Sequence, residues 1–132
     1  MTATLNALPG MLDLVIYAGD NTKIQFDITS AEQPFTPPGT QAATMRDSYD
    51  ATIAYSFTLE NDPLIDGRVF MTVPTETAEL IVGAPLCSKY VGDDLITAPM
   101  WSGVWDWQYT DGGDVHTIAA GKVTIIGEVT HA

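Results

Sequence analysis

The sequence predicts an all-β protein: an antiparallel immunoglobulin-like β-sandwich with one short helix and two long loops. Three observations favour this class. Apolar residues alternate with polar ones in several short segments, turn-forming residues separate these segments, and a single segment has helical features. A period of two puts alternate side chains on one face of a strand, and about seven such strands suit a sandwich. The cysteine and tryptophan signature of true immunoglobulin domains is absent, so the prediction concerns architecture alone.

Two apolar runs near the N-terminus predict an opening hairpin. Met11–Tyr17 is densely apolar, and Ala18–Asn21 holds the Gly, Asp and Asn that turns favour. Thr22–Thr29 alternates apolar and polar residues throughout, which predicts a strand with one buried face. Residues 1–10 are small and polar and end in a Pro-Gly pair. We therefore expect an N-terminal arm over residues 1–10 and a single β-sandwich domain over residues 11–132.

Five further strands and one helix follow along the chain. The strands are predicted at Ala51–Thr58, Arg68–Val73, Gly103–Thr110, Val115–Ile118 and Lys122–Val129. The Gly-rich segment Asp111–Asp114 is a hairpin turn. Thr75–Val82 is the candidate helix, because a threonine can cap its start and two glutamates favour its N-terminal end. Ser30–Ser48 and Ala84–Ser102 lack periodicity and contain Pro and Gly, so both are expected to be long loops.

The charge balance limits the classes of partner. Seventeen Asp and Glu against five Lys and Arg give a net charge of −12, which repels nucleic acid and anionic lipid. We therefore expect neither nucleic acid nor membrane as a partner. The N-terminus has no basic residue and no long apolar run, so neither a signal peptide nor a membrane span is expected. Cys87 is the single cysteine, so stability does not rest on an internal disulfide.

Residues with the spacing of an enzyme site are lacking. The two histidines are His116 and His131, and no HExxH, CxxC or Gly-rich phosphate motif is present. Asp111–Asp114 has a faint calcium-loop character but lacks the spaced ligands and closing Glu of an EF-hand, and turn chemistry explains these four residues fully. Carboxylate pairs such as Asp93 and Asp94 are expected by chance in so acidic a chain. We therefore expect no catalytic residue, no cofactor and no metal.

The tryptophans leave two interpretations open. Trp105 and Trp107 share one face of a predicted strand, which favours a place in the core. The alternative is an aromatic platform for a sugar or a partner. Trp101 stands beside Pro99 and Met100 in a segment predicted to be irregular. An exposed Trp there is a candidate interface anchor, because Trp is enriched at binding hot spots.

Three blocks are notable for their order and spacing. They are VIYAGDNTKIQFDIT in the predicted first hairpin, GRVFMTVPTETAELI across a strand and the Thr-capped helix, and SGVWDWQYTDGGDVHTIAAGKVTIIGEVTH at the closing hairpin. Together they resemble the small virion proteins of tailed bacteriophages over about half of the chain. The segments Ser30–Ser48 and Ala84–Ser102 do not share the resemblance.

The resemblance implies an immunoglobulin-like β-sandwich that decorates a tail, a tail tip, a fibre attachment or a capsid. It implies other virion structural proteins as partners, a symmetric homo-oligomer within the particle, and assembly in the host cytoplasm. We expect a tail or tail-tip accessory (minor tail) protein without catalytic residues. Capsid decoration or head–tail joining is the alternative. A carbohydrate-binding module that uses Trp101, Trp105 or Trp107 is the alternative from another class.

Contacts with partners are expected from the arm and the two predicted loops, because these segments lie outside the predicted strands. Edge strands offer further contact, since they can pair with a neighbouring chain. The candidate interface residues are Met1, Leu5, Leu8, Pro9, Phe35, Pro37, Pro38, Tyr90, Met100 and Trp101.

Overall fold

The computed structural model of the chain describes residues 2–5, 9–18, 23–48, 54–73 and 80–127. Within these ranges, eleven strands form one connected sheet, which confirms the all-β class. The strands are β1 (Thr2–Leu5), β2 (Gly10–Met11), β3 (Leu14–Tyr17), β4 (Lys23–Ser30), β5 (Gln33–Pro34), β6 (Thr40–Arg46), β7 (Tyr55–Asn61), β8 (Arg68–Thr72), β9 (Leu86–Val91), β10 (Asp94–Asp111) and β11 (Asp114–Ile126).

The strands follow one path around the molecule, in the order β1-β4-β8-β7-β6-β10-β11-β2. From β4 to β11 the neighbours are antiparallel. However, β1 pairs in parallel with β4, and both β2 and β3 pair in parallel with β11. Because β1, β2 and β3 are consecutive in the chain, the N-terminal segment joins the two ends of the path. The sheet is therefore mixed and nearly closed, like a barrel, and the antiparallel sandwich is not confirmed.

The predicted opening hairpin is wrong. β3 pairs with β11, whereas β4 pairs with β1, β5 and β8. Thr2–Leu5, expected in an arm, forms β1 beside β4, and Leu5 is buried in the core. The apolar run and the alternating segment both contain strands, but neither pattern carries information on which distant strand supplies the pairing partner. The boundary between an arm and a domain stays a prediction.

The two segments predicted to be long loops contain strands. Ser30–Ser48 holds β5 and β6, and Ala84–Ser102 holds β9 and the first part of β10. Gly39 and Gly92 lie at bends or turns, Pro85 precedes β9, and Pro99 lies within β10 where its pairing with β9 ends. Because these residue types usually interrupt strands, they concealed the strands between them. Within the predicted helix Thr75–Val82, residues 75–79 lie outside the described ranges. Leu80 and Ile81 are helical and pack against the core.

The barrel interior holds a group of aromatic rings among aliphatic side chains. Trp105 and Trp107 are buried, and the ring of Phe26 lies 5.0 Å from that of Trp107 in a T-shaped arrangement. Both indole groups have hydrogen-bond acceptors: Trp105 donates to the backbone carbonyl of Leu12 (2.8 Å) and Trp107 to Oε1 of Gln41 (3.1 Å). The core interpretation of these two tryptophans is therefore confirmed.

A smaller apolar cluster lies outside the barrel, beneath the hairpin of β9 and β10. Its members are Ala98, Met100 and Ile126, with Val15, Cys87, Val91 and Ile96 packed against them. Nζ of Lys89 in β9 donates to Oγ1 of Thr124 in β11 at 3.0 Å. The hairpin therefore folds back over the outer face of β11. This explains why Thr124 is buried although its side chain points away from the barrel interior.

Candidate docking surfaces

The hairpin of β9 and β10 has an outward face built from cross-strand neighbours, which we call the hairpin face. Its pairs are Leu86–Pro99, Ser88–Thr97 and Tyr90–Leu95. Opposed residues of an antiparallel pair lie on the same face, and the alternate residues of this hairpin cover β11. Leu86, Tyr90 and Leu95 are 72%, 68% and 58% exposed. The face contains no charged residue, although the chain has a net charge of −12.

The outer edge of β9 carries backbone groups that have no strand partner among the described residues. β9 pairs only with β10 there. The N–H of Met100 donates to the carbonyl of Pro85 at 3.0 Å. This bond shows which opposed residues of the β9–β10 ladder are hydrogen-bonded to each other. Hydrogen-bonded and non-hydrogen-bonded pairs alternate in such a ladder. Consequently the N–H and C=O groups of Leu86, Ser88 and Tyr90 point away from β10.

A second candidate surface is a groove beside the β10–β11 turn, which we call the Tyr109 groove. Its volume is about 480 Å³, and it is lined by Pro9, Ser30, Phe35, Tyr109, Val115, His116 and Thr117. The ring of Tyr109 lies 5.8 Å from that of Phe35 and stacks on His116 at 4.9 Å. The fold thus brings the predicted residues Pro9 and Phe35 together.

A third candidate surface, the Trp101 groove, lies between residues 80–87 and the middle of the long strand β10. Its volume is about 440 Å³, and it is lined by Asp47, Leu80, Val82, Gly83, Ala84, Pro85, Cys87, Met100, Trp101 and Ser102. Trp101 is half-buried, and its indole ring occupies the space beside Gly103. A Cβ on Gly103 would lie 2.5 Å from Cη2 of Trp101. The glycine therefore allows the ring to pack inward instead of projecting as an isolated anchor.

Several of the predicted interface residues have no accessible side chain. Leu5 is buried inside the barrel, Met100 is buried under the hairpin, and Pro37 is buried as well. Their burial within the single chain argues against the expectation that these three side chains contact a partner. Met1 and Leu8 lie outside the described residues.

The remaining predicted residues reach the surface. Pro9, Pro38 and Tyr90 are exposed, and Phe35 and Trp101 are half-buried. The structure places Pro9 with Phe35 in the Tyr109 groove, Trp101 in the Trp101 groove and Tyr90 on the hairpin face. That any of them contacts a partner stays a prediction.

The sequence interpretation missed Leu86 and Leu95, which complete the hairpin face. The local signal was limited to the Gly92-Asp93 pair, which separates the strand-length segments Leu86–Val91 and Asp94–Pro99. A two-residue turn that contains a glycine favours a hairpin. The prolines at both ends of this segment concealed the signal.

No group of three or more His, Cys, Asp or Glu side chains within the described ranges is placed to hold a metal ion. Nor does any helix in this part of the chain have the length and apolar character needed to cross a membrane. Gly112 and Gly113 have positive φ angles (59° and 88°) in the turn between β10 and β11, which confirms the turn interpretation of Asp111–Asp114.

Comparisons with solved structures give a likeness in fold. No protein-family profile matches the chain, and no curated protein matches it. Among solved structures, the chain is similar to the N-terminal domain of phage TP901-1 ORF48. The identity is 14%, the match covers 96% of each chain, and the TM-score is 0.46.

Proposed function

We propose that this protein is a structural component of a tailed-phage virion, most specifically a tail or tail-tip accessory protein that docks onto other virion proteins. The phage setting comes from the resemblance of residues 15–29, 67–81 and 102–131 to small virion proteins. The observation that supports the docking role is the exposed, uncharged hairpin face. The proposal gives the chain no catalytic activity.

The hairpin face has the composition of a protein interface. Tyr90 and Leu95 are cross-strand neighbours, and Leu86 lies on the same face beyond the polar Ser88–Thr97 pair. All three large side chains are exposed to solvent. Burial of one such side chain contributes about 1.5–3 kcal/mol, and Tyr is enriched at binding hot spots. The hairpin is already held to β11 by its opposite face, so these three side chains have no packing role within the described residues. Their exposure is explained by a partner that covers them.

The acidic surroundings suit this role. The hairpin face is uncharged, whereas Asp93 and Asp94 stand at the hairpin tip and are exposed. Charged residues around an apolar patch keep the unassembled chain soluble and disfavour incorrect partners. Capsid decoration or head–tail joining would use the same face, so these remain alternative positions within the particle.

The carbohydrate-binding alternative is less well supported. Trp105 and Trp107 are buried in the barrel and present no ring face to a sugar. Trp101 alone of the three is partly accessible, and it packs beside Gly103. A glycan platform would therefore rest on one half-buried ring.

Particle incorporation tests the proposal. The double variant Leu86→Ser/Tyr90→Ser and the wild-type chain are supplied separately to a phage that lacks its own copy. The amount of each chain in purified particles is then measured by mass spectrometry. We expect the double variant to fold, by circular dichroism and thermal melting, but to enter particles at a strongly reduced level.

Leu64→Ser is the matched control, because Leu64 is 90% exposed outside the hairpin. It should enter particles at the wild-type level. Wild-type incorporation of the double variant would exclude the hairpin face as the docking surface, and absence of the wild-type chain from particles would refute the virion role. Immunogold label at the tail tip or on the head separates the accessory role from capsid decoration.

A further inference from the structure

We infer that two copies of this chain pair through the free edge of β9, antiparallel and about a two-fold axis that passes through Ser88. The pairing extends the β9–β10 hairpins of both copies into one four-stranded ribbon. This inference deepens the proposed assembly role and rests on it for the particle setting. The self-pairing itself is a property of the isolated chain.

β9 is the longest strand with a single neighbour among the described residues. It has 6 residues, whereas β1 and β3 have 4 each and β2 and β5 have 2 each. A strand edge with unpaired N–H and C=O groups is a template for another strand. Leu86, Ser88 and Tyr90 direct these groups outward, as the ladder phase requires.

A two-fold axis at Ser88 lets the outward N–H and C=O groups of Leu86, Ser88 and Tyr90 all form hydrogen bonds with the second copy. It places Leu86 opposite Tyr90 of the second copy, Ser88 opposite Ser88, and Tyr90 opposite Leu86. These are the hydrogen-bonded positions of the new ladder, and each such pair exchanges two backbone hydrogen bonds. The same register aligns the two hairpin faces, so that two Leu–Tyr pairs flank a Ser–Ser pair. Aromatic–aliphatic neighbours across strands are favourable.

The charges on β9 do not oppose this register. A lysine on an edge strand usually hinders pairing. Here Lys89 extends beneath the hairpin, where its Nζ contacts Oγ1 of Thr124, and the two-fold register sets it opposite Cys87 of the second copy. The two lysines are therefore not directly opposed. β9 contains no acidic residue, and Asp93 and Asp94 lie beyond it at the turn.

Sedimentation of the isolated chain over a range of concentrations tests the pairing. We expect a concentration-dependent dimer for the wild-type chain. Ser88→Pro removes an N–H that points away from β10, so the hairpin keeps its own ladder while the new ladder loses donors. We expect this variant to dimerise at least about tenfold more weakly. Ser88→Ala is the control, because it loses the same hydroxyl contact with Thr97 but keeps the N–H.

Disulfide trapping tests the register. In the variant Cys87→Ser/Ser88→Cys, the two-fold axis brings the introduced cysteines to a Cα separation of about 5.5 Å, within the range of a disulfide. The control is Cys87→Ser/Thr97→Cys, which places the thiol on the same face but on the inner strand. Mild oxidation should cross-link the first variant and not the second.

Three outcomes would overturn the inference: a wild-type chain that stays monomeric, a Ser88→Pro variant that dimerises as the wild type does, or equal cross-linking of the two cysteine variants. If the chain is monomeric but still enters particles through the hairpin face, the self-pairing is refuted and the docking role is kept. In that case, loss of Ser88→Pro from particles would assign the edge to a strand of a different protein. If the isolated chain dimerises but is absent from particles, the self-pairing is kept and the virion role is refuted.

Discussion

The indole N–H of Trp105 donates a 2.8 Å hydrogen bond to the backbone carbonyl oxygen of Leu12, in the link between β2 and β3. The N–H of Leu12 in turn donates to the carbonyl of Ala120 in β11 at 3.0 Å. Trp105 is paired with Gly121 across β10 and β11, and a Cβ on that glycine would lie 2.0 Å from the same carbonyl oxygen. The N-terminal segment thus lies against β11 because a glycine gives it room and a tryptophan from β10 holds it.

Replacement of Trp105 by Phe should loosen this closure of the barrel. The variant keeps an aromatic ring but loses the donor, so the half-buried carbonyl of Leu12 is left without this partner and a small cavity forms. We expect the free energy of unfolding in urea to fall by about 2–3 kcal/mol. Hydrogen exchange at the amides of Leu14–Tyr17 should become faster than in the wild-type chain.

Trp107→Phe is the matched control for this effect. It removes the same atoms, but the indole of Trp107 donates to the side chain of Gln41 in β6 and not to the N-terminal segment. It should lower stability without selectively accelerating exchange in β3. Equal acceleration of β3 exchange by both variants would show that Trp105 does not hold this segment in place.

Leu5→Ala should show whether the first residues are part of the barrel. Leu5 is 5% exposed and packs in the core, and β1 pairs with β4. A buried Leu→Ala substitution costs about 2–5 kcal/mol, so we expect a clear fall in the free energy of unfolding measured with urea. Thr4→Ala is the control at an exposed neighbouring position and should change stability by less than about 0.5 kcal/mol. If Leu5→Ala leaves the free energy of unfolding unchanged, residues 1–10 would again be interpreted as a separable arm.

Local patterns were sufficient for the strands whose two faces differ in burial. The alternation of Ile24, Phe26 and Ile28 with polar residues predicted β4, and these three side chains are buried. The shared face of Trp105 and Trp107 predicted their place in the core for the same reason. In each case the signal is contained in a few consecutive residues.

Pairing between distant segments could not be predicted in this way. The N–H of Lys122 donates to Oδ1 of Asp13, which is 109 positions away in the chain, and the parallel pairing of β3 with β11 brings them together. Nothing near either residue specifies the other. The hairpin face was missed for a related reason: β9 does not alternate apolar with polar residues, and its inner face is defined by contact with the distant residue Thr124.

The turn between β4 and β5 should become more stable with Glu32→Gly. Ala31 and Glu32 have φ angles of 51° and 66°, in the left-handed region, between the paired residues Ser30 and Gln33. Such a two-residue turn favours Asn-Gly, because glycine adopts positive φ without steric cost. We expect a gain of about 0.5–1 kcal/mol in the free energy of unfolding, measured by urea denaturation.

Gly113→Ala tests the same effect in the reverse direction, because it introduces a side chain at a positive φ angle in another turn. Gly113 has a φ of 88° in the β10–β11 turn, and no neighbouring atom lies within 4 Å of an added Cβ. Strain in the backbone alone should therefore lower stability, by about 1 kcal/mol. A loss of stability in Glu32→Gly would mean that the wild-type side chain contributes more than the strain costs.

Salt should stabilise the folded chain. With a net charge of −12, compaction brings like charges together, and salt screens their repulsion. Within the described ranges, the single ion pair joins Nε of Arg68 to Oδ1 of Asp27 at 2.9 Å, with side chains 26% and 37% exposed. An accessible pair contributes about 0–1 kcal/mol, so its weakening by salt should not outweigh the reduced repulsion.

From ~0.01 M to ~0.15 M NaCl the Debye length falls from about 30 Å to about 8 Å. We expect calorimetry to show a melting temperature higher by about 3 °C or more.

Two variants separate repulsion from the ion pair in this salt response. Arg68→Gln removes the pair and changes the net charge from −12 to −13, so its melting temperature should rise more steeply with salt. Asp111→Asn lowers the magnitude of the net charge from −12 to −11 at an exposed turn residue and should reduce the salt response slightly. A wild-type melting temperature that falls with added salt would instead mean that attraction between Asp27 and Arg68 exceeds the summed repulsion. In that case Arg68→Gln would abolish the fall, because the attractive contact that salt screens would no longer exist.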